Sequence, residues 1–256
     1  MAGKRTPTII LTGGSRGIGL ACLKKLLKSS NLISISRSYP RELEDLVKSN
    51  PDRLKVLNGD VRDDNTNRSA VELALKSFGS LDGLILNSGT IKFEKLDSPK
   101  TLDSFKDVFD INFFSLVSIL NAAIPHLRQS KGRVVFVSSG ASIGGIGSWG
   151  SYNASKAAMN SLCRTLANEE PDITSIAVRP GVVDTEMQNE LRTKAKEVMS
   201  KPNYDHFYKL YETSKLLPVE KPAEVISNLV LDHQSQKQLT GQFLSWDSEE
   251  LKPFRS

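Results

Sequence analysis

Tyr152 and Lys156 stand four residues apart in the stretch Tyr152-Asn153-Ala154-Ser155-Lys156, which opens a helical run. On a helix that spacing puts both side chains on one face, one turn from each other. A cation beside a phenol favours the phenolate, so Lys156 is expected to lower a tyrosine pKa that is ordinarily about 10. Thirteen residues before Tyr152, Ser139 follows an apolar run, Val134 to Val137, that reads as a buried strand. A glycine-rich connection joins the two and lets the Ser139 hydroxyl meet the phenol over one substrate oxygen. The chemistry such a trio supports is proton transfer.

The elements that must position the trio are short apolar runs alternating with helical segments. Thr8 to Thr12 is the first run; Gly13-Gly14-Ser15-Arg16-Gly17-Ile18-Gly19 follows without a gap, and Leu20 to Leu27 has helical spacing. In that context glycines can cradle phosphates. Gly13 permits a tight turn, Gly17 a close approach of backbone to pyrophosphate, and Gly19 close helix–strand packing, while the helix N-terminus offers free N–H groups and partial positive charge. The spacing is G-x-x-x-G-x-G rather than G-x-G-x-x-G, and a glycine turn that merely joins strand to helix is the alternative.

Leu32 to Ser36 reads as a second strand. A dinucleotide fold places an acidic residue at this strand end to take a ribose 2′-hydroxyl. Here Ser36 and Arg37 stand instead, before Ser38, and a cation suits a 2′-phosphate, with Arg16 assisting from the glycine loop. A surface arginine is the alternative. Leu54 to Asn58 is a third strand closed by Gly59-Asp60-Val61, where Asp60 either accepts from an adenine amino group or caps the helix starting near Asp63-Asp64. Leu81 to Leu86 is a fourth, closed by Asn87-Ser88-Gly89. Ile173 to Val178 is another, ending in Arg179-Pro180-Gly181-Val182-Val183-Asp184-Thr185, and Gly241 to Leu244 is the last. Such alternation predicts one α/β domain over 1–256, a doubly wound parallel sheet with helices on both faces and ligands beyond the carboxyl ends of the strands.

The segment 101–129 is helical, with apolar residues on more than one stripe, so one face packs on the sheet and another is expected at a subunit interface. A homodimer or homotetramer through this helix and 152–169 is the expectation. Asn112 is a polar residue within that apolar run. Residues 186–218, with Met187, Tyr204, Phe207, Tyr208 and Tyr211 among many charges, suit an amphipathic flap over a substrate or a plain surface excursion.

Composition narrows the class. Net charge is +5 with both signs interspersed, so no clustered basic surface points to nucleic acid. No signal-peptide pattern and no apolar run of about 18 residues is evident, which predicts a cytoplasmic protein without a membrane partner. Cys22 and Cys163 fall within helical patterns and read as small buried hydrophobes in a reducing compartment, not as a disulfide or metal site.

Taken together the motifs resemble the short-chain dehydrogenase/reductase family along nearly the whole chain. Thr12 to Gly19 resembles its cofactor loop, Asn87-Ser88-Gly89 its Asn-Ala-Gly segment with Ser88 a departure, and Pro180-Gly181-x-Val183-x-Thr185 its nicotinamide-carboxamide turn. Asn112, Ser139, Tyr152 and Lys156 resemble its catalytic tetrad. Asp110 to Ser115, Val134 to Ser139, Ala167 to Glu170 and Pro180 to Thr185 further resemble fungal benzil reductases, a group related to sepiapterin reductases. The resemblance implies Tyr152 as general acid, Lys156 lowering its pKa and binding the nicotinamide ribose, Ser139 holding the substrate oxygen, and Asn112 holding a water that links Lys156 to solvent. It implies NADP(H) contacts at Gly13, Ser15, Arg16, Gly17, Ile18, Gly19, Ser36, Arg37, Ser38, Asp60, Val61, Asn87, Ser88, Gly89, Tyr152, Lys156, Pro180, Gly181, Val183, Thr185 and Met187. The expected activity is NADPH-dependent reduction of a small apolar or aromatic ketone or vicinal diketone. A sepiapterin-type or other alcohol/ketone oxidoreductase, and a dinucleotide-binding sensor without turnover, are the other readings.

Overall fold

Each apolar run between helical segments becomes a strand because β-branched and leucine side chains fill both faces of a sheet covered on both sides. The computed structural model describes residues 5–232 and 237–255; residues 1–4, 233–236 and 256 of the expected domain lie outside the described residues. The elements run β1 (Thr8–Thr12), α1 (Gly17–Leu26), β2 (Asn31–Ser36), α2 (Arg41–Ser49), β3 (Leu54–Asn58), α3 (Asp64–Phe78) and β4 (Gly83–Leu86). They continue with α4 (Thr101–Phe109), α5 (Ser115–Ser130), β5 (Arg133–Val137), α6 (Gly150–Glu169), β6 (Thr174–Arg179), α7 (Glu186–Lys194), α8 (Lys201–Glu212), α9 (Glu220–Leu231) and β7 (Phe243–Ser245).

The sheet is parallel throughout, in the order β3-β2-β1-β4-β5-β6-β7. Between β1 and β4 the order reverses, which opens a crevice at the carboxyl ends of those strands. On one face Ile9, Leu11, Val135 and Val178 pack with α1 and α9 through Leu23, Leu26, Ile226 and Leu229. On the other, Ile10, Leu84, Val134 and Phe136 pack with α3, α5 and α6 through Val71, Leu120, Leu127, Met159 and Cys163. Cys22 and Cys163 are both free thiols, and burial pushes each up to about 12.

Several expected bounds shift, the last strand from 241–244 to Phe243–Ser245 and the one before it from 173–178 to Thr174–Arg179 among them, and two further differences concern β4 and the long helix. Leu81 and Asp82 precede β4, and the Asp82 carboxylate lies at the amino ends of the central strands β1 and β4, accepting from the Thr8 N–H at 2.8 Å and from the Arg5 guanidinium at 2.6 and 3.0 Å. The long helix over 101–129 is broken into α4 and α5 by a π turn, Asp110–Phe114, that carries Asn112. The Ser115 hydroxyl supports the break by donating to the Ile111 carbonyl at 2.6 Å. Within residues 101–130 an 18-residue window has a mean hydropathy of 1.5, apolar enough by length and composition alone to cross a membrane, a run that the sequence reading passed over. Its apolarity has another use here: Leu116, Ile119, Leu120, Ala123 and Leu127 are core residues against the sheet.

The first crossover is sterically tight. A Cβ on Gly19 would lie 2.1 Å from the Gly13 carbonyl oxygen, a backbone atom that cannot swing aside. By contrast, a Cβ on Gly145 meets nothing within 4 Å among the described residues. Gly19→Ala is expected to lower the melting temperature by roughly 5–10 °C, from about 2–3 kcal/mol of overpacking at 2–4 °C per kcal/mol. Gly145→Ala should leave it unchanged, and differential scanning calorimetry of both variants checks the contrast.

Candidate active site

The crevice above β1 and β4 widens into a cleft of about 1010 Å³, at the upper end of the usual small-molecule range of about 300–1,000 Å³. Its floor is the glycine loop. Gly13 and Gly17 adopt φ of +75° and +55°, left-handed values that favour glycine. Among the described residues only Thr185 lies near the place a Gly17 Cβ would fill, with its Cγ2 3.4 Å away. Arg16 stands at the N-cap of α1 without a side-chain cap bond, so the first N–H groups of the helix have no side-chain acceptor there. Ser38 donates to Ser15 across the loop at 3.0 Å, joining the end of β2 to it. This donor set suits the phosphates of a dinucleotide.

Each neighbouring strand end adds one wall. Ser36 is buried, its hydroxyl 3.3 Å from that of Ser34, whereas Arg37 extends outward with its guanidinium 3.9 Å from Asp60. Asp60 does not cap α3, so that alternative is corrected: Asp63 takes the cap, accepting from the Asn65 N–H at 3.0 Å. Asp60 instead folds onto Arg62, accepting from its N–H, Nε and Nη2 at 3.0, 3.1 and 2.7 Å, and these bonds hold its carboxyl below the usual carboxylate range. Val61, Ser88 and Gly89 line the cleft beside it. Asn87 spends its amide on the glycine loop, donating to the carbonyls of Thr12 and Gly13 at 3.0 and 3.2 Å. Across the cleft lie Pro180, Gly181, Val183, Thr185 and Met187, with Ile18 on the loop side.

The proton-transfer trio meets at the far end. Tyr152 is buried, and burial pushes its phenol above the ordinary value while a hydrogen bond with the Ser139 hydroxyl draws it back. Ser139 accepts from the Ala141 N–H at 3.2 Å, which leaves its own proton free to donate. Lys156 is also buried, donating to the Val137 carbonyl at 2.8 Å, and burial pushes it down to about 7. Its Nζ stands 5.8 Å from the Tyr152 ring centroid. The expected acidification of Tyr152 by Lys156 is therefore corrected. In this cleft the phenol is raised, the acidifying partner is Ser139, and the lysine is too desolvated to hold its charge strongly.

Asn112 sits under the trio. Its Oδ1 accepts from the Thr90 N–H at 2.8 Å, and its Nδ2 donates to the Thr90 carbonyl at 2.9 Å and the Ser155 hydroxyl at 3.0 Å. The side chain thus ties the π turn to α6 and to the strand end after β4. A Cβ on Gly89 would lie 3.5 Å from Asn112 Oδ1 and 3.6 Å from Lys156 Nζ, so this turn passes within ordinary contact distance of both groups.

The wall beyond Tyr152 is apolar. Trp149 stacks on Phe207 of α8 at 5.1 Å and meets the Tyr152 ring edge-on at 5.9 Å. Residues 186–218 supply α7 and α8, and Leu191 of α7, Met199 of the turn between them and Tyr204 of α8 cluster with Ile91, Ala141, Trp149 and Tyr152. Sequence spacing alone missed Ile91, Ala141, Ile146 and Leu217 as lining residues, since they come from three separate connections, β4–α4, β5–α6 and α8–α9. It also missed Asn160, although its position eight residues after Tyr152 places it on the same helical face.

A doubly wound sheet with a glycine loop at its switch point, and a Ser-Tyr-Lys trio at the strand ends, defines a dinucleotide-dependent oxidoreductase. The short chain dehydrogenase family model matches residues 7–196, and the chain belongs to that family of NAD(P)(H)-using enzymes. It is 42% identical over 249 residues to an uncharacterized oxidoreductase of Schizosaccharomyces pombe, covering 97% of this chain and 99% of the other. A benzil reductase ((S)-benzoin forming) of Saccharomyces cerevisiae is 34% identical over 258 residues, covering 96% and 97%. The crystal structure of a short chain dehydrogenase/reductase from Saccharomyces cerevisiae superimposes with a TM-score of 0.93 at 36% identity, covering 98% of this chain and 100% of that one.

Burial of Lys156 has a consequence for stability. The unfolded lysine binds its proton up to about pH 10.4, the folded one only to about 7, so between these values the unfolded chain holds more protons. The penalty is therefore full below pH 7 and fades as pH rises toward 10. Lys156→Met should melt at a higher temperature than the parent at pH 7, with the gap shrinking by pH 10. Thermal scans at both pH values check it; an equal gap would contradict this account of the lysine.

Proposed function

We propose that this enzyme uses NADPH to reduce a small aromatic ketone or vicinal diketone to a hydroxy ketone or alcohol. The observation that carries the reading is the buried Tyr152 phenol, pushed toward its protonated form, beside Ser139 at an aromatic wall of Trp149 and Phe207. Tyr152 then donates a proton to the carbonyl oxygen. Ser139, polarised by the Ala141 N–H, donates a second hydrogen bond to that oxygen and stabilises the charge that develops there. Lys156 lies behind the phenol, poised near pH 7 to exchange a proton, and Asn112 fixes the helix that carries it. When bound, the nicotinamide cofactor supplies the hydride.

Support for NADPH over NADH is local. Ser36 and Arg37 stand where a carboxylate would repel a 2′-phosphate, and Arg37 projects with 62% of its side chain exposed. Asp60 and Val61 then lie on the adenine side, and the glycine loop with Ser15 and Arg16 holds the phosphates. Similarity to a benzil reductase supports the aromatic diketone. A sepiapterin-type ketone is the second reading, favoured by the same Ser139–Tyr152 pair. The free thiols Cys22 and Cys163 suit a cytoplasmic setting. Leu102, Phe114 and Val117 expose 65, 56 and 43% of their surface on α4, the π turn and α5, which supports a homodimer closed by this face and α6.

With benzil as substrate, Tyr152→Phe should lower the rate of NADPH oxidation by about two to four powers of ten while the NADPH dissociation constant stays nearly unchanged. Near-full turnover in that variant would overturn the assignment of the acid. Fluorescence titration of the parent should give tighter binding of NADPH than of NADH, with the preference lost in Arg37→Ala. Sedimentation velocity at micromolar concentration should show a dimer; a monomer would remove the interface.

A further inference from the structure

Tyr152, Lys156 and Asn160 follow one another at four-residue steps along one face of α6. The first two enter the proposed chemistry directly. Asn160 is buried at 5% exposure, and both ends of its amide are used. Its Oδ1 accepts from the Ser138 hydroxyl at 2.7 Å, and its Nδ2 donates to the Ser142 hydroxyl at 2.8 Å. Ser142 in turn donates its hydroxyl proton to the Ser139 carbonyl at 2.7 Å, and its backbone N–H reaches the same oxygen at 3.1 Å.

Ser139 is thus held from both sides, through the residue before it and through its own carbonyl. The single 3₁₀ turn over Gly140–Ser142 that follows it is too short to be rigid by itself. A 20-residue helix, packed on the sheet through Met159, Cys163 and Leu166, is rigid. We propose that Asn160 is the positioning residue that fixes the Ser139 hydroxyl against Tyr152, so that one helix sets the placement of the whole proton-donor pair. This rests on reading Ser139 and Tyr152 as the donor pair of a carbonyl reductase. An amide is required because the acceptor for Ser138 and the donor for Ser142 must share one plane. Aspartate lacks the donor and would draw the Ser142 proton away from Ser139; leucine lacks both.

Around the phenol the polar and charged neighbours are Ser139 from the end of β5 and Lys156 from α6, while Ile91, Ala141, Trp149 and Leu191 supply apolar surface. Loosening Ser139 removes the one group that draws the phenol down. A merely structural asparagine would change stability and leave that titration alone.

The test compares Asn160→Leu, Asn160→Asp and the milder Ser142→Ala, each alone and with Ser139→Ala. Turnover of NADPH with benzil, NADPH affinity, melting temperature, and the Tyr152 titration (the ultraviolet difference from Tyr152→Phe) are measured on each protein. Asn160→Leu should lower kcat by about 10- to 100-fold, the scale of an ångström-level misplacement, with NADPH affinity retained. The Tyr152 titration and the alkaline limb of the reduction profile should both move to higher pH. Ser142→Ala should follow with a smaller effect, which keeps the test open if Asn160→Leu does not fold. In the Ser139→Ala background both substitutions should cost almost nothing further. An unmoved Tyr152 titration, or the same loss of kcat with and without Ser139, overturns the role of Asn160. A parent protein that titrates as described yet turns over no ketone overturns the reductase reading instead.

Discussion

The site depends on a buried amine. Lys156 gives up bulk water for the Val137 carbonyl and a 3.9 Å contact with the Met159 sulfur, at the lining of the cleft. Moving a lysine out of water disfavours its charged form, and the shift to about 7 reflects that cost. The geometry that makes the cost tolerable is parallel: β5 delivers the carbonyl, α6 delivers the amine one turn below Tyr152, and the sheet fixes the distance between them. The same burial raises the Tyr152 phenol, so a proton stays on the ring oxygen at neutral pH. Charge near the reacting oxygen is then managed by fixed dipoles, chiefly the Ala141 N–H acting through Ser139, in a setting where water does not screen them.

Location follows from topology. Every strand of a parallel sheet ends at the same edge, so the glycine loop after β1, Asp60 after β3, Asn87 after β4, Ser139 after β5 and Gly181 after β6 converge without further design. Over that edge lies a cover built from the start of α6, α7 and α8. The Trp149–Phe207 stack ties the start of α6 to α8, and Arg192 of α7 lies 3.9 Å over the Tyr211 ring of α8, so the cover is braced by aromatic contacts at both ends.

Much of this was legible in order along the chain. Gly13, Gly17 and Gly19 announce themselves because left-handed backbone and a 2.1 Å approach leave glycine as the residue that fits. Tyr152 and Lys156 are a helical turn apart, and that spacing survives any tertiary rearrangement. Other features are relations between distant segments and leave no local trace. Asp60 by type suits either an adenine contact or the cap of α3, and only the structure, with Arg62 folded back on Asp60 and Asp63 accepting from the Asn65 N–H, removes the cap. The π turn around Asn112 cannot be read from an apolar run, since the bond from Ser115 to Ile111 and the pairing with Thr90 depend on what α4 meets. Likewise the pKa of Tyr152 goes up rather than down because burial, which sequence reports poorly, outweighs proximity to a cation that is itself desolvated.

The central claim is a meeting of three atoms: a substrate carbonyl oxygen, the Tyr152 hydroxyl and the Ser139 hydroxyl. A crystal structure of the protein with NADP and benzil measures it directly. The account predicts one carbonyl oxygen within hydrogen-bond distance of both hydroxyls, with the aryl groups against Trp149 and Phe207. A diketone seated elsewhere in the cleft, with neither hydroxyl on a carbonyl, would contradict it.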